Sequence, residues 1–119
     1  MARVVVAGVL EFPPEVREEA LTTAKPHIEG AYTEKGCIHY IWTADLNHPG
    51  RVAVYEEWES GEDLEAHLRD HWYEDMRNHL GKYNLIGAET NKYRVDLKEP
   101  VYGPDFVASA YFSDEEKPE

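Results

Sequence analysis

The chain has 119 residues, and 24 acidic against 12 basic side chains give it a formal net charge of −12 at pH 7. This length predicts one domain with enough buried surface for a hydrophobic core. Such an acidic surface repels nucleic acids and anionic membranes, and no apolar run is long enough to span a bilayer, so we exclude both as partners. The single cysteine, Cys37, excludes an internal disulfide and is typical of a reducing compartment.

The first predicted strand runs from Val4 to Leu10 and is apolar at nearly every position. A strand with one wet face would alternate, so this pattern favours a strand that is covered on both faces. Glu-Phe-Pro-Pro follows at 11–14, in place of the small-residue cleavage site of a signal peptide. We therefore predict a cytoplasmic protein.

The first helix is predicted to open at 13–15, because proline suits the first helical turn. Apolar residues then recur at helical spacing, namely Val16, Ala20, Leu21, Ala24, Ile28 and Ala31. Pro26 lies inside this pattern and should kink or split the helix. Gly36 is predicted to end it.

A hairpin is predicted next, with strands over 37–44 and 51–58 joined by a turn at 47–50. On the first of these strands, period-2 alternation places Cys37, His39, Ile41 and Thr43 on one face and Ile38, Tyr40 and Trp42 on the other. On the second strand, Val52, Val54, Glu56 and Trp58 share one face, opposite Ala53, Tyr55 and Glu57.

Ser60 is predicted to cap a second helix, from about Gly61 to about Leu80, with Asp63 at its third position. Apolar residues recur every four positions in this helix, namely Leu64, Leu68, Trp72, Met76 and Leu80, and Gly81 is predicted to cap its end. Residues 84–90 are predicted to form a loop, and residues 91–97 the fourth strand.

The element order is therefore β-α-β-β-α-β, a ferredoxin-like α+β fold with an antiparallel four-stranded sheet and both helices on one face. We predict that residues 1–98 form this domain. Residues 99–119 form a C-terminal extension, apolar to about residue 112 and then a disordered acidic tail. The uncovered sheet face would carry large apolar residues, so a second sheet is its natural cover and we predict a homodimer.

Three motifs carry a resemblance to a known family. Residues 34–40 contain E-x-G-C-x-x-Y, residues 56–60 contain E-x-W-x-S, and His67 and His71 follow on the next helix. In this combination and order the chain, over about residues 3–97, resembles the antibiotic biosynthesis monooxygenase superfamily. The resemblance implies a dimeric α+β barrel with a pocket between sheet and helices in each subunit. Some of these relatives oxidise anthrones or quinols with molecular oxygen and no metal or flavin, some degrade haem, and some bind small molecules.

Trp58 and His67 are the predicted catalytic residues. The indole of Trp58 would position a flat aromatic substrate, or would pack in the core with its nitrogen satisfied. His67 is the best acid–base candidate because the pKa of an imidazole lies near neutrality, although a structural hydrogen bond beneath the helix is the alternative. Cys37 is interpreted as a small buried packing residue.

We predict Tyr40, Tyr55, His39 and His71 as substrate-binding residues. A tyrosine hydroxyl would bind a substrate oxygen, or would cap the core from its wet edge. His67 and His71 are four residues apart and share a helix face, as metal ligands do, but the glutamate of a zinc-protease helix is missing between them. We therefore predict neither a metal nor another cofactor.

The leading hypothesis is a cofactor-independent monooxygenase that oxidises a small aromatic phenol, quinol or anthrone with molecular oxygen. The alternatives are a non-catalytic small-molecule-binding protein of the same fold and, as the weakest, a haem-binding or haem-degrading protein. Some oxidising relatives have an asparagine four residues before the tryptophan, where this chain has Val54. Haem-degrading relatives use an asparagine on the first strand, and Val4–Leu10 contains none.

Overall fold

The structure is a computed structural model that describes residues 2–118. Met1 and Glu119, the ends of the predicted domain and of the predicted tail, lie outside the described residues. In chain order the elements are β1 (Arg3–Glu11), α1 (Pro14–Thr22), α2 (Lys25–Tyr32), β2 (Cys37–Ala44), β3 (Arg51–Trp58), α3 (Gly61–Leu68), α4 (His71–Gly81) and β4 (Gly87–Val95). The predicted ferredoxin-like order is confirmed, with each of the two predicted helices divided into two shorter ones.

The four strands form one antiparallel sheet in the order β2-β3-β1-β4, so β1 and β3 are central. Val4 of β1 is paired with Trp58 of β3, and Val6 is paired with Glu56. Because residues directly opposite each other project from the same face, these four side chains lie on one face of the sheet. The helices pack on this face and enclose the hydrophobic core, whose buried members include Leu10, Phe12, Ala24, Tyr40, Val52, Val54, Leu64 and Met76.

The break between α1 and α2 confirms the split that Pro26 predicts. Thr23 and Ala24 separate the two helices, and Pro26 occupies the first turn of α2. A first-turn residue has no intrahelical acceptor for its N–H, so proline costs nothing there.

The second predicted helix also breaks, which the apolar spacing did not indicate. Asp70 lies between α3 and α4 in an extended conformation, and its carboxylate accepts the backbone N–H of His71 at 2.7 Å. Aspartate is a good N-cap, so it begins a new helix at this point. The predicted glycine cap is wrong as well, because Gly81 is the last residue of α4 and the cap is Lys82. The predicted Ser60 cap is confirmed, since its hydroxyl accepts the Asp63 N–H at 3.1 Å.

Two details of the sheet correct the sequence analysis. A bulge between Cys37 and His39 shifts the register of β2, so that Cys37 lies opposite Trp58 and on the core side with Tyr40. The strict alternation that grouped Cys37 with His39 is therefore wrong. The fourth strand is Gly87–Val95 and not 91–97, because pairing with all of β1 organises a polar edge strand of weak β-propensity.

The opposite face of the sheet remains accessible. It carries Val5, Ala7, Val9, His39, Ile41, Ala53, Tyr55 and Tyr93, of which Tyr93 is 52% exposed. After β4 the chain forms a small turn closed by an antiparallel bridge between Tyr102 and Ala108, and Phe106 at its tip is 85% exposed. Within residues 2–118, no helix is long and apolar enough to cross a membrane.

Gly8 lies in β1, between Val54 of β3 and Thr90 of β4. A Cβ at this position would lie 2.0 Å from the carbonyl oxygen of Glu89, so the two backbones would have to separate. We expect Gly8→Ala to lower the free energy of unfolding by about 1–3 kcal/mol, measured by urea denaturation. Gly87→Ala in β4 is the matched control because a Cβ there meets nothing within 4 Å, and an equal loss in both variants would contradict the prediction.

Candidate functional site

A cavity of about 440 Å³ lies between the helix-facing side of the sheet and helices α3 and α4. Its buried lining includes Tyr40, Val54, Glu56, His67 and Met76. Its exposed lining includes Leu68, Arg77, Thr90 and Lys92. A cavity of this size, mostly apolar with a few polar groups, is typical of a small-molecule site.

The indole of Trp58 and the imidazole of His67 lie against each other at the buried end of this site. Their ring centroids are 4.6 Å apart with an interplanar angle of 30°, and the two residues are 0% and 1% exposed. Tyr40 and Tyr73 meet the imidazole edge-on, at centroid distances of 5.4 and 5.7 Å. Three aromatic rings therefore hold His67 in one orientation.

Glu34 holds the other side of His67. The Nδ1 of His67 and Oε1 of Glu34 are 2.6 Å apart, and the side chain of Glu34 is 10% exposed. Gly36 has φ +80°, a conformation that favours glycine, and it turns the chain from Glu34 into β2. A Cβ at Gly36 would also lie 2.1 Å from the carboxylate of Asp63, so the conformation and the space both require the glycine of the E-x-G-C motif.

Burial and the neighbouring Asp70 carboxylate raise the pKa of Glu34 to about 7. Burial also lowers the pKa of His67, so the imidazole is neutral at neutral pH. When Glu34 is ionised, Nδ1–H donates to the carboxylate and Nε2 keeps its lone pair. When Glu34 is protonated, its hydroxyl donates to Asp70, and the neutral carboxyl group stabilises an imidazolium less than the carboxylate does. The protonation state of Glu34 therefore sets how strongly Nε2 acts as a base.

Glu56 is a second buried carboxyl group in the cavity. Its Oε1 accepts the Nε1–H of Trp58 at 3.0 Å, and burial raises its pKa. Burial, followed by the charge of Glu56, raises the pKa of Tyr40 as well, so its phenol stays protonated. Trp42 lines the same cavity, and its buried Nε1–H has no acceptor among residues 2–118. The neutral hydroxyl of Tyr40 is therefore a hydrogen-bond donor that the cavity offers to an oxygen of a bound molecule.

Burial raises the pKa of the Cys37 thiol to about 11, with Glu34 and Glu56 adding to the effect. A thiol with this pKa is protonated at neutral pH and is a poor nucleophile. Across residues 2–118, no three His, Cys, Asp or Glu side chains group as a metal site.

The structure brings together three of the six predicted site residues, namely Tyr40, Trp58 and His67. His39 and Tyr55 lie on the opposite face of the sheet, where their rings are 6.2 Å apart and the Tyr55 hydroxyl donates to Glu57 at 2.9 Å. His71 lies on the surface, beside Trp72, and its Nδ1 is 3.1 Å from the carboxylate of Asp75. The helix break at Asp70 turns His71 away from the face that carries His67.

Sequence analysis assigned no role to Glu34 and Glu56, although both open the motifs it used. Glu56 precedes its hydrogen-bond partner Trp58 by two residues. That spacing on a strand places both side chains on one face, and this was the available signal for Glu56. Glu34 and His67 are 33 residues apart, so only the fold brings them together.

The protein is of the ferredoxin-like α+β class, with an aromatic, histidine-containing cavity between the sheet and its helices. The sequence profile of the antibiotic biosynthesis monooxygenase family matches residues 3–78, more than half of the chain. The chain therefore belongs to this family.

The chain is 27% identical to a conserved protein of Methanosarcina mazei, whose crystal structure it matches with a TM-score of 0.72 over 81% of this chain and 95% of that one. A candidate antibiotic biosynthesis monooxygenase from Deinococcus radiodurans matches with a TM-score of 0.76 at 20% identity, over 84% and 99% of the two chains. This likeness shows the fold alone. An uncharacterised Synechocystis protein is 26% identical over 92 residues, which are 77% of this chain and 63% of that protein.

Proposed function

We propose that the protein is a cofactor-independent monooxygenase that oxidises a small phenol, quinol or anthrone with molecular oxygen. The observation that carries the proposal is the buried His67–Glu34 pair at the end of an aromatic cavity, in a chain of this family. A base fixed beside an apolar site suits a substrate whose anion reacts directly with oxygen.

For an anthrone, the reaction converts a ring CH₂ and O₂ into a ring C=O and water. His67 Nε2 takes a proton from the CH₂ carbon, and the carbanion reduces O₂ and joins to it. The imidazolium returns its proton to form a carbon-bound hydroperoxide. Removal of the second C–H proton then forms the carbonyl as the O–O bond breaks, and the departing hydroxide takes up a proton to become water.

Glu34 assists both the removal of the substrate proton by His67 and its later return. Its carboxylate accepts Nδ1–H, so it holds Nε2 in the basic form and stabilises the imidazolium that follows. Trp58 and Tyr40 keep the imidazole fixed, and the neutral phenol of Tyr40 can donate to an oxygen of the substrate. Holding the base and the substrate in a reactive arrangement lowers the activation barrier without a cofactor.

Oxygen consumption with a panel of anthrones and hydroquinones tests the proposal, with ¹⁸O₂ to follow one oxygen atom into the product. We expect uptake that is proportional to protein concentration, and one ¹⁸O atom per product molecule. A compound that raises the melting temperature and is recovered unaltered, with no oxygen uptake, would contradict it.

That outcome would support the second candidate, a binding protein of the same fold without turnover. The observation that favours it is Val54, whose buried hydrocarbon side chain lines the cavity. A valine offers no hydrogen bond to a developing oxyanion, and this position carries an amide in some oxidising relatives.

We also propose a homodimer formed through the accessible sheet face. That face carries Val5, Val9, Ile41, Tyr55 and Tyr93 in adjacent strands, and two such faces would bury on the order of 2,000 Å². At about 25 cal/mol per Å² of apolar area, burial on this scale contributes on the order of tens of kcal/mol. This total exceeds the free-energy cost of association. The exposed Val101, Tyr102 and Phe106 of the C-terminal extension would add to the interface by crossing to the second subunit.

Sedimentation at low micromolar concentration is expected to show a species of twice the chain mass, with a melting temperature that rises with protein concentration. Tyr93→Asp should weaken association, because it places a charge in the proposed interface. Tyr102→Asp places the same charge in the extension and tests its contribution to the interface separately. A folded species at the chain mass of 13.7 kDa would contradict the dimer.

A further inference from the structure

The cavity differs in charge between its buried end and its mouth. The buried lining carries the carboxyl group of Glu56 and the imidazole of His67, whereas the exposed lining carries Arg77 from α4 and Lys92 from β4. Both cations belong to a chain whose net charge is −12. The lining at the mouth of the cavity is therefore basic, although the chain as a whole is acidic.

These two cations have no ion-pair partner among residues 2–118, whereas most arginines of the chain are paired. All six arginines lie within the described residues, and five of them bond to carboxylates or backbone carbonyls, namely Arg3, Arg17, Arg51, Arg69 and Arg94. Arg77 has no ion pair or side-chain hydrogen bond to another residue of 2–118, and the same holds for Lys92. Their charges are therefore available to a molecule in the cavity.

Acidic residues near Arg77 do not neutralise it. Asp70 and Glu74 line an adjoining groove that shares Leu68, Tyr73 and Arg77 with the cavity, yet neither carboxylate lies within 4.0 Å of the guanidinium. A guanidinium presents a planar set of donors that matches a carboxylate in two parallel hydrogen bonds. Lysine adds a mobile point charge to the same anion.

We propose that the cavity binds an aromatic molecule bearing an anionic group such as a carboxylate, with the rings inside and the anion held at the mouth by Arg77 and Lys92. This inference rests on the proposed function only for the location of the site. It narrows the substrate class to aromatic molecules that carry an anionic group. The aromatic body packs among Tyr40, Trp42 and Tyr73, while the anion stays in water at the rim, where its desolvation cost is small. The buried end favours this orientation, because it carries the carboxyl group of Glu56 and, within the described residues, no lysine or arginine to pair with an anion.

Binding of 2-naphthoate and 2-naphthamide tests the inference, because the two probes share size and ring system and differ in charge. Calorimetry or tryptophan fluorescence would give both dissociation constants. We expect the wild-type protein to bind 2-naphthoate about tenfold more tightly than 2-naphthamide at low salt, and the preference to shrink at high salt. Arg77→Ala and Lys92→Ala should each weaken the binding of 2-naphthoate by about three- to tenfold and leave the affinity for 2-naphthamide unchanged.

Lys82→Ala is the matched control, since it removes the same charge from the end of α4 outside the cavity lining. Equal affinities for the two probes, no binding of either probe, or an equal effect of Lys82→Ala would overturn the inference. Oxygen uptake with uncharged anthrones is unaffected by these outcomes, so the proposed function can stand when the inference fails. A preference for 2-naphthoate without any oxygen uptake would support the inference and contradict the proposed monooxygenase function.

Discussion

His67→Ala is expected to lower kcat for oxygen consumption by about 10²- to 10⁴-fold, the usual contribution of a positioned acid–base group. The variant removes the one imidazole in the cavity lining of the described residues, so no side chain of comparable basicity replaces it. Initial rates with the best anthrone or hydroquinone of the panel measure the effect. Equal, slow rates for the variant and the wild-type protein would contradict a catalytic role.

His67 is 1% exposed, so loss of fold has to be separated from loss of chemistry. Glu34→Gln makes this distinction, because an amide keeps the size of the carboxyl group and removes its ionisation. For the wild-type protein, kcat/KM is expected to rise as pH increases through about 7, where Glu34 ionises and its carboxylate stabilises the imidazolium. Below that pH the raised pKa keeps Glu34 protonated, the neutral carboxyl group no longer stabilises the imidazolium, and activity falls.

Glu34→Gln should abolish the step near pH 7 and reduce the rate above it by about tenfold, while melting temperature and circular dichroism stay close to those of the wild-type protein. Glu65→Gln is the matched control, because that carboxylate pairs with Arg69 on the exposed side of α3. A variant that keeps the step near pH 7 would show that Glu34 does not control the base.

Trp58→Ala is expected to lower the free energy of unfolding by about 3–5 kcal/mol. The side chain is 0% exposed and contacts both Tyr40 and His67, so its removal leaves a large cavity in the core. A loss of this size is a large fraction of the stability of a typical domain. Urea denaturation, followed by far-UV circular dichroism, measures it.

Trp58→Phe separates the hydrogen bond from the packing. The phenyl ring keeps most of the contacts but leaves Glu56 without the Nε1–H donor, so we expect a loss of about 1–3 kcal/mol. Trp42→Phe is the matched control on the same face of the sheet, because the Nε1–H of Trp42 is buried without an acceptor among residues 2–118. It should cost less than Trp58→Phe, and the opposite order would contradict the role given to the Glu56 bond.

The local patterns of the chain were sufficient for most of its secondary structure. Apolar runs and β-branched residues identified β1, β2 and β3, Pro26 divided the first helix, and Ser60 capped α3. These features depend on residues within one or two turns of each other, so they can be recognised in a sequence. The motifs around Glu34, Trp58 and His67 likewise indicated the family, which the match over residues 3–78 confirms.

The sequence alone also placed Trp58 at the end of a strand and His67 on the helix that follows it, and the structure brings their rings into contact. Only the tertiary structure decided the rest. The bulge in β2 depends on pairing with β3, the extent of β4 depends on pairing with β1, and both pairings are long-range. The Asp70 cap turned His71 to the surface, and the fold brought Glu34 to His67 across 33 positions. Contacts between distant segments leave no periodic signal in one chain, and for that reason the carboxyl group that controls the histidine emerged only from the folded molecule.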